Sequence, residues 1–478
     1  PDSPKTEYLS YKWVTASPDW KTGSGSVSFD WMINMRTDYV VKYWRNNISY
    51  ILAATSNTVT VKKTYPLQGH IALTDDPSEM RVMWTSDSVE VATVQYGITD
   101  SLGTQATGNS STYGVESMYH CAVNNASVAI KYFRDPGQLH DVVLTSLKPR
   151  TKYFYRYGNN VDGWGPIRTF VSPAIPGAEE IHVLAFGDMG TFRCNEGSGW
   201  CEPGSQGVVA GLNKEIETKD YDLLLQIGDI AYSVGYAIRW EQFFMMIEPI
   251  STSLPYMVSI GNHEYDYPGQ PFKPSWSNYG ADSGGECGVP AKERFNMPWT
   301  RDTDWYSFDY GNTHFSIFSA EHDFTPNSAQ YKWLKNDLET VDRKVTPWVV
   351  VGAHRPLYSS ANYASDWVMC QKLQENVEGL LVDNKVDLFL AGHYHSYERT
   401  CPVESQKCRN DGEAPVNVVI GMAGMTLDSR WRPQPEWSTY RMAEFGYTRL
   451  HITRATLKLE FVLASNLSVA DSVTLTKK

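Results

Sequence analysis

Five short apolar runs in the second half of the chain each break at a glycine followed at once by a polar side chain able to bind a cation. They are IHVLAFGD, ending at Asp188; LLLQIGD, at Asp229; YMVSIGNH, at Asn262; VVVGAH, at His354; and LFLAGHYH, at His393 and His395. Aliphatic, largely β-branched runs of this length, bounded by glycine, predict strands buried on both faces. Between them the apolar period changes to that of a helix. Val208, Val209, Leu212 and Ile216 form one stripe, with Ser205 placed to cap it; Tyr331, Leu334 and Leu338 form another behind Ser328; Leu373, Val377, Leu380 and Leu381 form a third. A helix between successive buried strands predicts βαβ crossovers, and open α/β sheets bind ligands just beyond the carboxyl ends of their strands.

The first part of the chain reads differently. Over residues 1–62 the runs SVSFDWMINM and YVVKYW alternate, which predicts a small β-rich domain. Residues 63–175 hold MRVMWTS, VATVQYG, HDVVLTSLKPRTKYFYRYG and IRTFVSP, short strands at regular intervals with turn residues between them. That spacing predicts a fibronectin-III-like sandwich, with Trp84 in its core and Tyr153 as a tyrosine corner. The Pro/Gly/Ala segment SPAIPGAEE then links it to an α/β domain over residues 178–478.

The predicted strand ends deliver two carboxylates, one amide and three imidazoles to one crevice. A single zinc is satisfied by four protein ligands, or by three and water. Asp188, Asp229, Asn262, His354, His393 and His395 exceed that, and Tyr232 in GDIAY can add a phenolate. The set therefore predicts two metals, with Asp229 as the carboxylate between them.

In order and spacing, GDMG, GDIAY, GNHE, the GAH of VVVGAHRP and GHYH resemble the five metal motifs of the metallophosphoesterases. The tyrosine of GDIAY resembles that of the purple acid phosphatases. GYAIRWEQF, IEPISTSLPYMVSIGNHE, DSGGECGVPA and SYERTCPV are similar to the large plant-type members, especially the nucleotide pyrophosphatase/phosphodiesterase-like branch. The resemblance implies a catalytic domain of two sheets packed as a β-sandwich flanked by helices, and an extra N-terminal domain over 1–62. It implies Fe(III) on Asp188, Asp229, Tyr232 and His395, and divalent zinc, manganese or iron on Asp229, Asn262, His354 and His393. The activity implied is acid phosphatase chemistry, in which a metal-bound hydroxide attacks phosphorus in monoesters, nucleotide pyrophosphates or diesters. His263 is then the candidate to protonate the leaving alcohol, or else a prop for Asn262. His322, in a segment resembling the EHD of the pyrophosphatase-like branch, is a candidate to meet the substrate, as are Arg355, Tyr358 and Tyr363. Tyr363 and Ala364 stand where monoesterases of this type carry two adjacent histidines, which turns the expectation away from simple monoesters. The alternative is a non-catalytic metallophosphoesterase-like binding glycoprotein.

Charge and cysteines narrow the setting. The formal net charge of −12 over 478 residues argues against nucleic acid as a partner and leaves a small-molecule phosphate ester or nucleotide, with a homodimer allowed. No apolar stretch is long enough to span a bilayer. Sequons at Asn47, Asn109, Asn125 and Asn466, together with a local disulfide expected within Cys194/Cys201 and another within Cys401/Cys408, point to a secreted, extracellular or vacuolar protein. Seven cysteines leave at least one unpaired. A start at Pro1 suits a removed signal peptide and equally a trimmed chain. His70, His120, His140, His182, His314 and His451 lack comparable context and are expected to be structural.

Overall fold

The computed structural model describes residues 11–29, 32–45, 51–124, 126–192, 201–299, 302–362 and 366–477. Two sheets form the centre of the larger domain. The first has six strands, in the order Tyr256–Ser259, Leu223–Ile227, Glu180–Phe186, Gly446–Thr453, Thr456–Leu463 and Val469–Thr476. Its first three strands run parallel, and the last three return as an antiparallel meander. The second sheet has eight strands, among which Thr313–Ile317, Trp348–Gly352, Leu388–Ala391 and Val416–Ile420 are parallel neighbours.

The apolar runs are buried on both faces for a visible reason. Val350, Leu388, Leu390 and Val418 face the other sheet and share one core with Val183, Leu225 and Ile227. Their neighbours Val349, Val351 and Phe389 face outward and pack with Leu334 and Leu338 of the Ala329–Thr340 helix and with Leu373, Val377 and Leu381. The two sheets are also joined by backbone, since Gly187 N donates to Ile420 O at 2.8 Å.

The Ser328 cap is present, its hydroxyl accepting from Tyr331 N at 3.0 Å. The Ser205 cap is not. Gly204 holds the N-cap position of the Ser205–Thr218 helix, and the Ser205 hydroxyl instead donates to Met189 O at 2.6 Å. Ser205 is already the first residue of the helix, one position past the cap, and its side chain turns back onto the loop after Asp188.

The sandwich domain pairs a four-stranded and a five-stranded sheet. Trp84 is buried between His140 and Tyr157, with ring centroids at 4.9 and 5.3 Å. The Tyr153 hydroxyl accepts from Lys148 N at 3.0 Å, the back-bond of a tyrosine corner. Before the sandwich, the expected strand over SVSFDWMINM is absent among its described residues; Ile33 and Met35 pack instead against Ile238. Their alternating pattern serves docking onto the large domain, and among the described residues of this region only the pair Lys42–Arg45 and Ile51–Thr55 makes a sheet.

Several ties hold the units together, among them a buried ion cluster, a backbone hydrogen bond and a disulfide. Buried Glu241 accepts from Arg36 Nη1 at 2.9 Å and from Arg294 Nη2 at 2.8 Å, and Gln68 of the sandwich also reaches it. Ala129 N donates to Gly284 O at 3.0 Å. A disulfide joins Cys121 to Cys287. The expected Cys401–Cys408 bridge is formed, Cys201 is disulfide-bonded, Cys194 lies outside the described residues, and Cys370 is a buried free thiol. No helix among the described residues is long and apolar enough to cross a membrane.

Candidate metal centre

The carboxyl ends of parallel strands from both sheets meet at one point. The six-stranded sheet supplies Asp188, Asp229, Tyr232 and Asn262; the eight-stranded sheet supplies His354, His393 and His395. Asp188, Asp229, Asn262, Tyr232 and His354 are all buried. The turns that aim them are strained. Asp188, Asp229, Tyr232 and His393 adopt φ of 60°, 46°, 46° and 70°, left-handed values that cost a non-glycine residue about 1–2 kcal/mol each. Glycine is required beside them for space: a Cβ at Gly228 would fall on the His354 ring, and one at Gly261 on the Asp229 carboxylate.

The donor atoms form two clusters that share Asp229. One holds Asp229, His354 and His393, the other Asp188, Asp229 and His395, each set lying within 4.8 Å. In the first, His354 Nε2 is 3.2 Å from Asp229 Oδ1, and Asn262 Oδ1 is 3.0 Å from both His354 Nε2 and His393 Nδ1. In the second, the Tyr232 hydroxyl lies 3.1 Å from Asp188 Oδ1 and 2.9 Å from His395 Nε2. Donors about 3 Å apart are what a shared cation about 2 Å from each imposes.

Outer partners decide which ring nitrogen faces inward. His354 Nδ1 donates to Ile227 O at 3.1 Å, His395 Nδ1 to Thr426 O at 3.0 Å, and His393 Nε2 to Asp366 Oδ2 at 3.0 Å. Each leaves the opposite nitrogen as a lone-pair donor toward the cluster, the tautomer a metal ligand needs. Arg355 Nη1 approaches His393 Nε2 at 3.4 Å, but the shorter carboxylate contact sets the proton there. The Asn262 amide is oriented likewise, Nδ2 donating to Asp282 Oδ2 at 3.0 Å so that Oδ1 points inward.

The electrostatics call for cations. Burial disfavours charge on Asp229, yet the His354 and His263 imidazoles outweigh it and hold the carboxyl well below the usual range. Burial likewise opposes charge on His354, while Asp229 raises it to about 10. Burial, then Asp188 and Asp229, push the Tyr232 hydroxyl well above the usual tyrosine range. Protons held between buried anions stand where positive ions fit.

Sequence reasoning did not find the supports. Glu264 binds Ile230 N at 2.7 Å and Gly261 N at 3.0 Å, tying two ligand loops together, while burial and then Asp229 raise its pKa to about 8. Asp428 accepts from His395 N at 2.9 Å. The glutamate of GNHE was the only local signal among these; Asp282, Asp366 and Asp428 act across the fold.

The residues expected at the substrate divide. His263 is at the centre: its backbone N donates to Asp229 Oδ1 at 3.0 Å, and its Nε2 is 3.9 Å from Asp229 Oδ2. His322 packs on Tyr265 with ring centroids at 4.1 Å, its nitrogens facing Asp304 Oδ2 at 3.2 Å and the Ser319 hydroxyl at 2.8 Å. Arg355 is buried, donating to Glu321 at 2.8 Å, Asp266 at 3.3 Å and Asn278 at 3.1 Å. Tyr358 is buried too, bonded to Glu378 and to Gln406 N rather than to any ligand of the clusters. Tyr363 lies outside the described residues, as do Asn47 and Asn125; Asn109 and Asn466 are exposed. Most of the remaining histidines are satisfied within the fold: His70 by Gln68 O and Arg294 O, His140 by Ser86 and Ser110, and His314 by Asp309 and Asp337, with His120 beside Cys287.

Known proteins share this order of domains and this fold. Residues 66–172 match the model of the purple acid phosphatase N-terminal domain, 181–397 that of the calcineurin-like phosphoesterases, and 414–472 that of the iron/zinc purple acid phosphatase-like protein C. The probable inactive purple acid phosphatase 9 of Arabidopsis thaliana is 38% identical over 511 aligned residues, spanning 97% of this chain and 78% of that one. A nucleotide pyrophosphatase/phosphodiesterase of Hordeum vulgare is 35% identical over 334 residues, 65% of this chain and 88% of that one. The solved structure of a purple acid phosphatase from yellow lupin seeds superposes with a TM-score of 0.84 at 32% identity, covering 93% of this chain and 80% of the other. Sandwich, phosphoesterase domain and C-terminal region thus agree with one set of relatives along nearly the whole sequence, and the chain belongs to the purple acid phosphatase family.

Proposed function

We propose that this chain is an active binuclear phosphoesterase, with Asp229 bridging Fe(III) on Asp188, Tyr232 and His395 to a divalent zinc, manganese or iron on Asn262, His354 and His393. The observation that carries the reading is the completeness of both donor clusters around one shared carboxylate. The donor types fit: carboxylates and a phenolate are hard anions suited to a trivalent ion, imidazoles and an amide oxygen to a divalent one. Two such ions, when bound, supply an activated water and neutralise the phosphoryl oxygens.

The chain's own residues do the rest. Asn262 and the three outer-bonded imidazoles hold the donors in one geometry before substrate arrives. His263, its Nδ1 3.3 Å from Asp282 O, keeps Nε2 beside Asp229, where it holds the proton given to the leaving alcohol. Arg355 serves as a buried support between Glu321, Asp266 and the His393 edge of the site. Nucleotide pyrophosphates and diesters are favoured over simple monoesters, in keeping with the barley relative and with Tyr363 and Ala364 where a histidine pair is absent. The disulfides support a secreted, extracellular or vacuolar setting.

The name of the Arabidopsis relative makes the non-catalytic reading the one to exclude. The test loads the full chain with both ions, confirms occupancy by metal analysis, and follows cleavage of a nucleoside diphosphate, a nitrophenyl diester and an alkyl phosphate. Turnover, fastest on the first two, is expected. Full occupancy with no turnover of any of them would make this a binding protein.

A further inference from the structure

We infer that Glu180, His182 and His451 form a third cation site, on the surface and of zinc type, independent of the two clusters above. His182 and His451 are direct partners across the antiparallel pair of strands Glu180–Phe186 and Gly446–Thr453. Direct partners in such a pair point to the same face of the sheet with their Cβ atoms about 5 Å apart. Glu180 stands two residues before His182 and shares that face.

The side chains converge accordingly. The imidazoles lie nearly parallel, 19° apart with ring centroids at 4.6 Å. Glu180 Oε1 is 3.0 Å from His182 Nε2 and 2.5 Å from His451 Nε2. All three donor atoms fall within 4.8 Å of one another. Each imidazole thus directs the same nitrogen at one carboxylate oxygen, and a cation between them replaces two N–H donors with two lone pairs. Two imidazoles and a carboxylate suit zinc, which takes three protein ligands and leaves its fourth position to water.

The nearby cations are engaged by other groups: Arg150 donates to the Glu180 backbone carbonyl and pairs with Asp222 at 3.7 Å. Lys458, across the next strand pair from His451, is turned to Glu460 Oε1 at 2.6 Å. The Tyr221 ring meets His182 edge-on at 6.3 Å. The site is also remote from the phosphoesterase centre. Glu180 begins a strand whose other end leads to Asp188, and a strand of that length spans roughly 20 Å. What a zinc ion here would do is mechanical: it fastens the strand that leads to Asp188 to the C-terminal meander.

The test uses the full chain with its two catalytic ions already bound, titrated with zinc chloride, desalted and assayed for metal. His182→Gln and His451→Gln are made at half-exposed positions outside the catalytic centre. Wild type should retain one more equivalent of zinc than either variant, and zinc should raise the Tm of wild type alone, while phosphate release is the same in all three. Equal zinc content in wild type and both variants overturns the inference, and the three side chains are then a hydrogen-bonded surface cluster only.

Discussion

Asp366 Oδ2 sits 3.0 Å from Nε2 of His393, on the side of the ring turned away from Asn262. The carboxylate fixes the tautomer that leaves Nδ1 as the lone-pair donor, which in the proposed centre goes to the divalent ion, and removing such a partner typically weakens metal affinity about 10–100-fold. Asp366→Asn should therefore lose the divalent ion selectively in a competition with a chelator while keeping the trivalent one. Unchanged divalent affinity would show that Arg355, at 3.4 Å from the same nitrogen, suffices to orient the ring.

Asp229 is the one carboxylate common to both clusters. Asp229→Asn should empty both sites and abolish turnover, whereas Asn262→Ala should cost mainly the divalent ion. Metal analysis of the two purified variants decides it, and equal loss of both ions from the Asn262 variant would contradict the division of ligands drawn here.

The buried hydroxyl of Tyr232 stays protonated unless a cation offsets Asp188 and Asp229. Metal-free protein should then be colourless, and iron-loaded protein should absorb broadly in the visible through the phenolate. Tyr232→Phe should remove that band with iron still bound. A band that survives the substitution would assign the colour to another ligand.

Stability should depend on pH through His314. Burial opposes its charge, but Asp309 and Asp337 raise its pKa from 6.5 to about 9. A raised histidine stabilises the fold while protonated, so its contribution is complete below about pH 6.5 and is lost as pH rises through about 9. The effect is at most about 3 kcal/mol. Denaturation midpoints of wild type should fall across that window and those of His314→Gln should be flatter; parallel curves would exclude the pair as a source of the slope.

Glu241 is a buried carboxylate between two buried guanidinium groups, Arg36 and Arg294. Glu241→Gln removes the carboxylate that Arg294 and Arg36 share, leaving Arg36 the more distant Asp87 carboxylate at 3.5 Å, and breaking a buried pair in this way costs about 3–5 kcal/mol. A clear drop in Tm is expected with both metals still bound after purification. A variant as stable as wild type would mean that Gln68 and water can replace the carboxylate.

The residues that meet in the two donor clusters were legible because each sits within a few residues of its own strand and glycine, so the local string carries the whole signal. The layer behind them was not. Asp282 reaches Asn262 from a loop with no periodicity, and Asp366 meets His393 only through the fold. The same limit hid His182 and His451, which look like isolated surface residues until the strand register makes them partners. Ser205 was misread because a serine before an apolar stripe reads as a cap, while its hydroxyl is drawn to Met189 O. The run from Ser26 to Met35 misled for a related reason: alternation signals a buried face without saying whether a sheet or a docking surface buries it.

The Cys121–Cys287 bridge and the Ala129 to Gly284 hydrogen bond both land within five residues of Asp282, the carboxylate that orients Asn262. The sandwich is therefore fastened beside the loop that orients Asn262 and is not a bead strung before it. A protease cut in the 173–178 linker would leave two fragments that travel together on a non-reducing gel, with the Asn262 loop still tethered. Only reduction would let the halves part, and the phosphoesterase-like domain expressed alone would lack the brace beside Asn262.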